Sequence, residues 1–380
     1  MKSKIRVAVV FGGRSAEHEV SLQSALSIIA ALDHDRYEIV PIGIDTRGKW
    51  RLLDPGKYVN ESANPARIFL GKSVHELSLV PGKDRSKMLR GKESLPRIDV
   101  VFPVLHGTYG EDGSIQGLLR MLDVPFVGSS VLGSAVGMDK EVTKRLFTEA
   151  GLPTPKYIAR HAGESLDEDE VRKVLGWPVF VKPANMGSSV GITKVHSAAD
   201  LREAAARAFE YDRKILIEEA VAGRELECAV LGNDSPRASV VGEVVPQGHE
   251  FYSYDAKYLD ENGAALVIPA RLETHTSKRV RELAVSAFRV LCLSGMARVD
   301  FFLRKEEVLL SEVNTIPGFT QISMYPKLWE ATGVSYPELL DELIRLAIER
   351  HERESRLRTS YHAGDDVDPV RGHFSHGVDS

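Results

Sequence analysis

The 380-residue chain has two cysteines and three tryptophans, and only 7% of it is aromatic. Two thiols are too few for a disulfide framework or a cysteine-rich zinc module. Both Cys228 and Cys292 lie in apolar runs (ELECAVL and VLCLSGM), so each is expected as a buried, inert thiol in a reducing cytoplasm. No apolar run approaches the length of a membrane span. Lys2, Lys4 and Arg6 precede a short apolar run, as in a signal peptide, but that run stops at Phe11 and meets Gly-Gly-Arg with no cleavage site. It reads as a first strand. An excess of one charge is missing too: 49 basic residues against 54 acidic ones give a net charge of −5 with no dense basic block, which suits neither a nucleic acid nor an anionic membrane. There is no internal repeat. What remains is the composition of a soluble globular protein, 43% apolar and 27% charged, long enough for two or three domains and a substantial core.

The richest stretch is ARVDFFLRKEEVLLSEVNTIPGFTQI, from Ala297 to Ile322. Two apolar runs flank a short charged segment and read as a hairpin. With its turn centred on Glu306, Asp300 faces Glu312 and Arg298 faces Asn314, all on one face of the ladder. Two opposed carboxylates repel unless a cation lies between them, and Asp, Glu and an amide oxygen are the hard ligands Mg²⁺ prefers. Arg298 beside such a site suggests phosphate chemistry. The alternative is a solvated polar face on an edge hairpin; the apolar residues opposite and the Asn-Thr-Ile-Pro-Gly that follows favour the metal.

Upstream, strands at 5–11, 37–44 and 98–105, with a glycine turn and a helix through Leu32, predict a parallel doubly wound unit whose ligands collect at the strand C-termini. Glu17 and His106 occupy those ends. Residues 46–97 are polar and weakly periodic and are expected as surface excursions. The loop HGTYGEDGSIQGLL opens a helix, where Glu111 and Asp112 suit the helix dipole. A helix is expected over 134–150, with Lys140 near its start, ended by Gly-Leu-Pro-Thr-Pro.

A second unit has strands at 179–182 and 191–195 joined by PANMGSSV. This is either a generic Gly-Ser hairpin or a phosphate nest, and Lys182 entering it favours phosphate. It is not a Walker A loop, since the lysine precedes the glycines. The strand 215–219 ends in Glu218 and Glu219, and the connector from Val221 to Glu225 suits adenine and ribose or an ordinary hinge. The third unit has strands at 226–231 and 240–245, then a long loop, 246–264, with Tyr252, Tyr254, Lys257 and Tyr258, expected as a lid. Helices at 278–292 and 336–351 follow. The polar end from about residue 356 reads as a disordered tail whose histidines match no regular metal spacing.

FGGRSAEHEVS, HGTYGEDGSIQG, GMDKEVTKRLF, VKPANMGSSVGI, ILIEEAVAGREL, YDAKY and RVDFFL…EVNTIPGFT, in this order, resemble the ATP-grasp superfamily and, within it, the D-alanine–D-alanine ligases. The resemblance runs from Ile5 to about Glu349. It implies an α/β (α+β ATP-grasp) chain: an N-terminal doubly wound parallel-sheet domain over 1–138, a central lobe over 139–222, a C-terminal lobe with the metal site over 223–355, and the tail over 356–380. By that resemblance Lys140, Lys182 and Lys257 contact the ATP phosphates. Glu218, Glu219 and the backbone to Val221 hold adenine, and Glu225 holds the ribose. Asp300, Glu312 and Asn314 bind two Mg²⁺ ions, for which Mn²⁺ can substitute. Glu17 receives the ammonium of the first D-alanine with Ser188 and Tyr258 linked to it, Ser323 holds the second substrate, Arg298 and Gly318 form the oxyanion site, and His106 matches the first-domain histidine.

The implied activity is ATP-dependent joining of two D-alanines through a D-alanyl phosphate, for peptidoglycan precursor synthesis, by a cytoplasmic homodimer that binds no nucleic acid or membrane. Ligation of D-alanine to D-lactate or D-serine is the alternative, and the retained tyrosine of YDAKY favours the dipeptide. Another ATP-grasp carboxylate–amine ligase would be expected to lack HEVS and YDAKY, and a regulator without turnover would be expected to lack a metal ligand or Arg298; all are present. One departure is Glu219, where many relatives carry lysine.

Overall fold

The computed structural model describes residues 4–60, 68–80, 87–90, 93–247 and 264–358. The expected lid tyrosines and Lys257, and the tail from residue 359, lie outside the described residues. Along the chain, β1 (Ile5–Gly12), α1 (His18–Ala31), β2 (Tyr37–Ile44) and β3 (Trp50–Leu53) are followed by the short pair β4 (Val59–Asn60) and β5 (Phe69–Leu70). Then come β6 (Ser73–Val80), β7 (Lys87–Arg90), β8 (Glu93–Ser94) and β9 (Val100–Val104). The first sheet runs β8-β7-β6-β3-β2-β1-β9. Its centre is parallel, with β1 between β2 and β9.

Alternation along β1 explains how both faces are covered. Val7, Val9 and Phe11 join a core with α1, whereas Ala8 and Val10 join another with α2 (Ser114–Met121). The doubly wound expectation therefore holds at the centre. Residues 46–97 differ from their reading as excursions, because β3, β6, β7 and β8 extend the sheet antiparallel. In β6 only every other residue at most is half-buried, so its apolar signal is faint.

The expected single helix over 134–150 is two, α3 (Val131–Met138) and α4 (Lys140–Glu149). Asp139 breaks them: its backbone is extended, and its side chain accepts from the Glu141 and Val142 amides as an N-cap. A four-stranded antiparallel sheet follows, β10 (Tyr157–His161), β11 (Val179–Pro183), β12 (Thr193–Val195) and β13 (Lys214–Glu219), in the order β10-β13-β11-β12. Helices α5 (Glu168–Val174) and α6 (Ala198–Phe209) cover one face through Val171, Leu201 and Ala205, leaving the other face to carry Lys182 and Glu218.

The third sheet is antiparallel, β16-β15-β14-β17-β18, from β14 (Arg224–Gly232), β15 (Arg237–Pro246), β16 (Ala264–Val267), β17 (Gly295–Arg304) and β18 (Glu307–Asn314). Helix α7 (Thr274–Val290) packs on its apolar face. Cys228 lies buried there with its thiol pushed up to about 12 by burial. Cys292 corrects the expectation of a second buried thiol: it is exposed, on the left-handed residue beyond α7, while Leu291 and Leu293 on either side take the buried positions.

Helices α8 (Met324–Ala331) and α9 (Tyr336–Glu354) return the chain to the first sheet. Leu339, Leu340, Leu343 and Ile344 of α9 are buried in one core with Val7, Val9 and Phe11. Each such side chain contributes about 1.5–3 kcal/mol by leaving water. At the far end of α9, Arg350 donates to the carbonyls of Gly128 and Phe126 and to Ser294 Oγ, and burial pulls its pKa down to about 10. Arg350→Met is expected to orphan these acceptors and cost roughly 3 kcal/mol, read as a lower urea midpoint.

Candidate active site

Hairpin β17–β18 places Arg298 opposite Asn314 and Asp300 opposite Glu312, as the sequence implies. The route differs. The turn is the two residues Lys305 and Glu306 between paired Arg304 and Glu307, with Lys305 at φ +58°. A regular ladder from that turn would set Asp300 against Ser311. A bulge between Asp300 and Phe301 instead passes over Ser311 and restores the pairing with Glu312. On the other side Asp300 pairs with Glu227 of β14, so Glu227, Asp300 and Glu312 form a row across three strands.

The row is not left to repel. The Arg298 fork donates to both Asp300 oxygens, each at 2.7 Å, and its Nε lies 2.9 Å from Glu227 Oε2. Burial opposes the Arg298 charge, but Asp300, Glu227 and Glu312 outweigh it and hold its pKa well above the usual value. Asn314 Nδ2 donates to Asp300 at 3.0 Å, and Lys140 Nζ lies 3.6 Å from Glu312. Repulsion alone therefore does not demand a metal. The donor set still fits one. Among the described residues no three His, Cys, Asp or Glu side chains form a metal-holding cluster. Two carboxylates and an amide oxygen on one face are the partial oxygen set that Mg²⁺ completes with water and substrate phosphates.

Helix α4 ties this face to the second sheet. Lys140 and Lys144 are one turn apart, hence on the same side of the helix. Lys140 reaches Glu312, while Lys144 Nζ lies 2.5 Å from Glu218 Oε2. Lys182 donates to the other Glu218 oxygen, also at 2.5 Å. Burial would raise the Glu218 pKa, yet the two lysines hold it below the ordinary value. Lys144 is itself pulled down by burial. Two ammonium groups around one carboxylate leave a surplus positive charge on this face, which suits phosphate. Glu219 is engaged elsewhere, accepting from the Lys156 amide and from Arg304. Val221 is half-buried in the connector, and Glu225 points to the same face of the third sheet as Glu227.

Loop 183–190 joins this face to the first sheet. Met186 accepts from Lys140 Nζ at 2.7 Å, and Ser188 donates to Glu17 Oε1. Ser188 and Ser189 both have positive φ, at 51° and 60°, a conformation that β-carbon residues adopt only under local constraint. Gly187 and Gly107 close over the Glu17 carboxylate, where a side chain on either would collide with it.

His106 stands beside Glu17 with both ring nitrogens committed. Nδ1 faces the Ile316 carbonyl at 2.9 Å and must donate. Nε2 lies 3.1 Å from Ser24 Oγ, which also accepts from the Phe319 amide. Burial lowers the ring's pKa and so favours the neutral imidazole, in which Nε2 accepts from the serine. Glu111 grips the preceding peptide, accepting from the Ile316 amide at 2.8 Å and from the Gly107 amide at 2.9 Å. Burial, then Glu17, pushes the Glu111 pKa up to about 7. The clasp fixes the start of the turn to Gly318, which packs on Ser323; that serine sits before α8 and bonds Thr320.

Of the expected residues, Glu17, His106, Ser188, Lys140, Asp300, Glu312, Asn314, Arg298, Lys182 and Glu218 thus form one linked set. Lys257 and Tyr258 lie outside the described residues. Lys144, Glu227 and Ser24 were missed, and Glu111 was read only as a helix-start acid. Two had a signal: Lys144 is one helical turn from Lys140, and Glu227 shares a strand face with Glu225.

Residues 6–129 match the family profile described as D-ala D-ala ligase N-terminus and 146–345 that of the D-ala D-ala ligase C-terminus. A protein of Shouchella clausii named D-alanine--D-alanine ligase is 52% identical over 363 residues, 94% of this chain and 98% of that protein. The structure of the D-alanine-D-alanine ligase from Coxiella burnetii superposes with a TM-score of 0.81 at 37% identity, covering 93% of this chain and 96% of that one. The VanG D-Ala:D-Ser ligase of Enterococcus faecalis gives 0.79 at 34% identity, over 91% of this chain and 100% of that one.

Glu111→Gln puts an amide NH₂ against a backbone N–H and is expected to cost roughly 1–3 kcal/mol. With a folded pKa of about 7 above the ordinary 4.5, the native state holds the extra proton, so this group's contribution is greatest at low pH and is lost as pH rises through 7. Urea unfolding of both proteins at several pH values checks this: the wild-type advantage should shrink between about pH 5 and 7.

Proposed function

The chain belongs to the D-alanine–D-alanine ligase family, and we propose that it joins two D-alanines with ATP to give D-alanyl-D-alanine for peptidoglycan precursor synthesis. The observation that carries this reading is the linked set itself. An amine-binding carboxylate at Glu17 is joined through Ser188 and Met186 to Lys140, and from there to the Glu312–Asp300–Arg298 face.

In this reading residues 1–138, 139–222 and 223–355 are three domains, each built on one of the three sheets. ATP lies between the second and third. Glu218 and the backbone to Val221 hold adenine and Glu225 holds the ribose, while Lys140 and Lys182 neutralise phosphate oxygens. Glu219, with its carboxylate engaged by Lys156 and Arg304, contributes backbone only. Asp300, Glu312 and Asn314 hold two Mg²⁺ ions, or Mn²⁺, which when bound draw charge from the phosphates.

Glu17 orients the first D-alanine by its ammonium, and that substrate's carboxylate attacks the γ-phosphoryl group to give D-alanyl phosphate. Here alignment and charge neutralisation do most of the work. The free amine of the second D-alanine, whose carboxylate Ser323 holds, then attacks the acyl carbon, and the C–O bond to phosphate breaks. The tetrahedral oxyanion is met by the Gly318 amide and by Arg298, whose fork to Asp300 uses Nε and Nη2 and leaves Nη1 for it. The roles that the resemblance gives Tyr258, linked to Glu17, and Lys257, on the γ-phosphate, belong to the same proposal; both lie outside the described residues. Among the described residues no helix is long and apolar enough to cross a membrane; cytoplasmic action as a homodimer belongs to the same proposal.

D-serine as second substrate is the reading that the resemblance to the VanG D-Ala:D-Ser ligase raises. Phosphate release from Mg·ATP, with products identified by mass, separates the two. D-alanyl-D-alanine from D-alanine alone, in preference to the mixed product when D-serine or D-lactate is added, is the expected result. A mixed product in excess would move the assignment, and no turnover would remove it.

A further inference from the structure

Beyond the ligase site, the first sheet has a second crevice, of about 280 Å³. It opens at the C-terminal ends of β1, β2 and β9, where β2 and β9 flank the central parallel strand on opposite sides. This is the point at which open α/β sheets take their ligands. The crevice meets the linked set above at one residue only, His106; its wall holds neither Glu17 nor Ser188 nor any lysine.

Its floor is apolar: Ile44, Trp50, Leu105, Ile115 and Leu118. Its mouth carries two guanidinium groups, Arg14 and Arg47. Both residues are exposed, and among the described residues neither makes an ion pair, although most arginines here face a carboxylate. Arg14 is held in place. Its guanidinium lies 5.4 Å over the Tyr109 ring, and its stem passes so close to Gly48 that a β-carbon there would sit 2.9 Å from it. Gly48 has φ +85°, so the loop depends on glycine for conformation and for space. Tyr109 adopts φ +64°, which is costly for a bulky residue and aims the ring across the mouth.

We propose that this crevice binds a compact amphiphilic anion: a single aromatic or branched apolar body on the floor, with one carboxylate paired to Arg14 and Arg47. The volume lies below that of pockets for drug-sized ligands, which limits the body to about one ring. Leu105 precedes His106 in sequence and Tyr109 belongs to the same loop, so an occupant presses on the segment that clasps Ile316 and covers Glu17. The site acts beside the reaction and does not depend on which amino acids are joined.

The probe is para-trifluoromethylbenzoate, titrated into the full chain and followed by fluorine NMR. Saturable binding is expected, with the neutral amide of the same shape weaker by about tenfold or more, the loss of a charge-assisted contact. The exposed pair Arg14→Ala/Arg47→Ala should weaken the acid by at least about tenfold and leave the amide unchanged. Leu118→Trp, which fills the floor, should abolish both. Equal binding of acid and amide, wild-type binding in either variant, or no saturation at millimolar probe would overturn the proposal.

Discussion

A single residue outside the ladder, Ser311, sets which side chains meet at the reaction face. Side chains alternate along a strand, so a slip of one residue exchanges the two faces of everything beyond it. The two-residue turn at Lys305–Glu306 would give such a slip, turning Glu312 and Asn314 toward α7 and Val313 toward the charged face. The bulge at Ser311 cancels it. Glu312 and Asn314 then share a face with Arg298 and Asp300, while Val313 stays in the apolar core.

The charges around that face form two crowded groups of opposite excess. Glu227, Asp300 and Glu312 make a row of three carboxylates, held by Arg298 within the sheet and by Lys140 from α4. On the facing sheet one carboxylate, Glu218, holds two lysines. Buried pairs of this kind contribute little net stability, because desolvation offsets their attraction. Their effect is to fix long side chains in place before a polyanion and cation arrive, which lowers the ordering cost of binding. The clasp of His106 and Glu111 on the two peptides that flank Ile316 does the same for the Gly318 turn, by holding backbone groups.

Much of this was legible in the sequence, because short-range patterns encode it. The hairpin residues, the place of Glu17 at a strand end and the parallel centre of the first sheet follow from strand alternation and glycine placement, whereas the link of Ser188 to Glu17 is implied only by the family resemblance. The correct pairing of Asp300 with Glu312 came from a misplaced turn centre, since sequence periodicity does not reveal a bulge. The antiparallel strands within 46–97 were missed because their exposed faces leave no apolar period. Asp139 was read through as helix, although it caps α4. Cys292 was misplaced because its neighbours are apolar and nothing local shows that the residue ending α7 turns outward. Ser24 and Glu111 act across about 200–300 residues of chain, on Ile316 and Phe319, and no local signal encodes such contacts.

The central claim is that the hairpin face and ATP together hold the divalent cation. The direct measurement is Mn²⁺ binding by paramagnetic resonance, with and without ATP, in wild type and Glu312→Ala, with dipeptide formation followed in the same samples. The account requires ATP-dependent Mn²⁺ binding in wild type, lost together with ligation in the variant while ATP itself still binds. Wild-type Mn²⁺ binding or near-normal turnover in Glu312→Ala would contradict it.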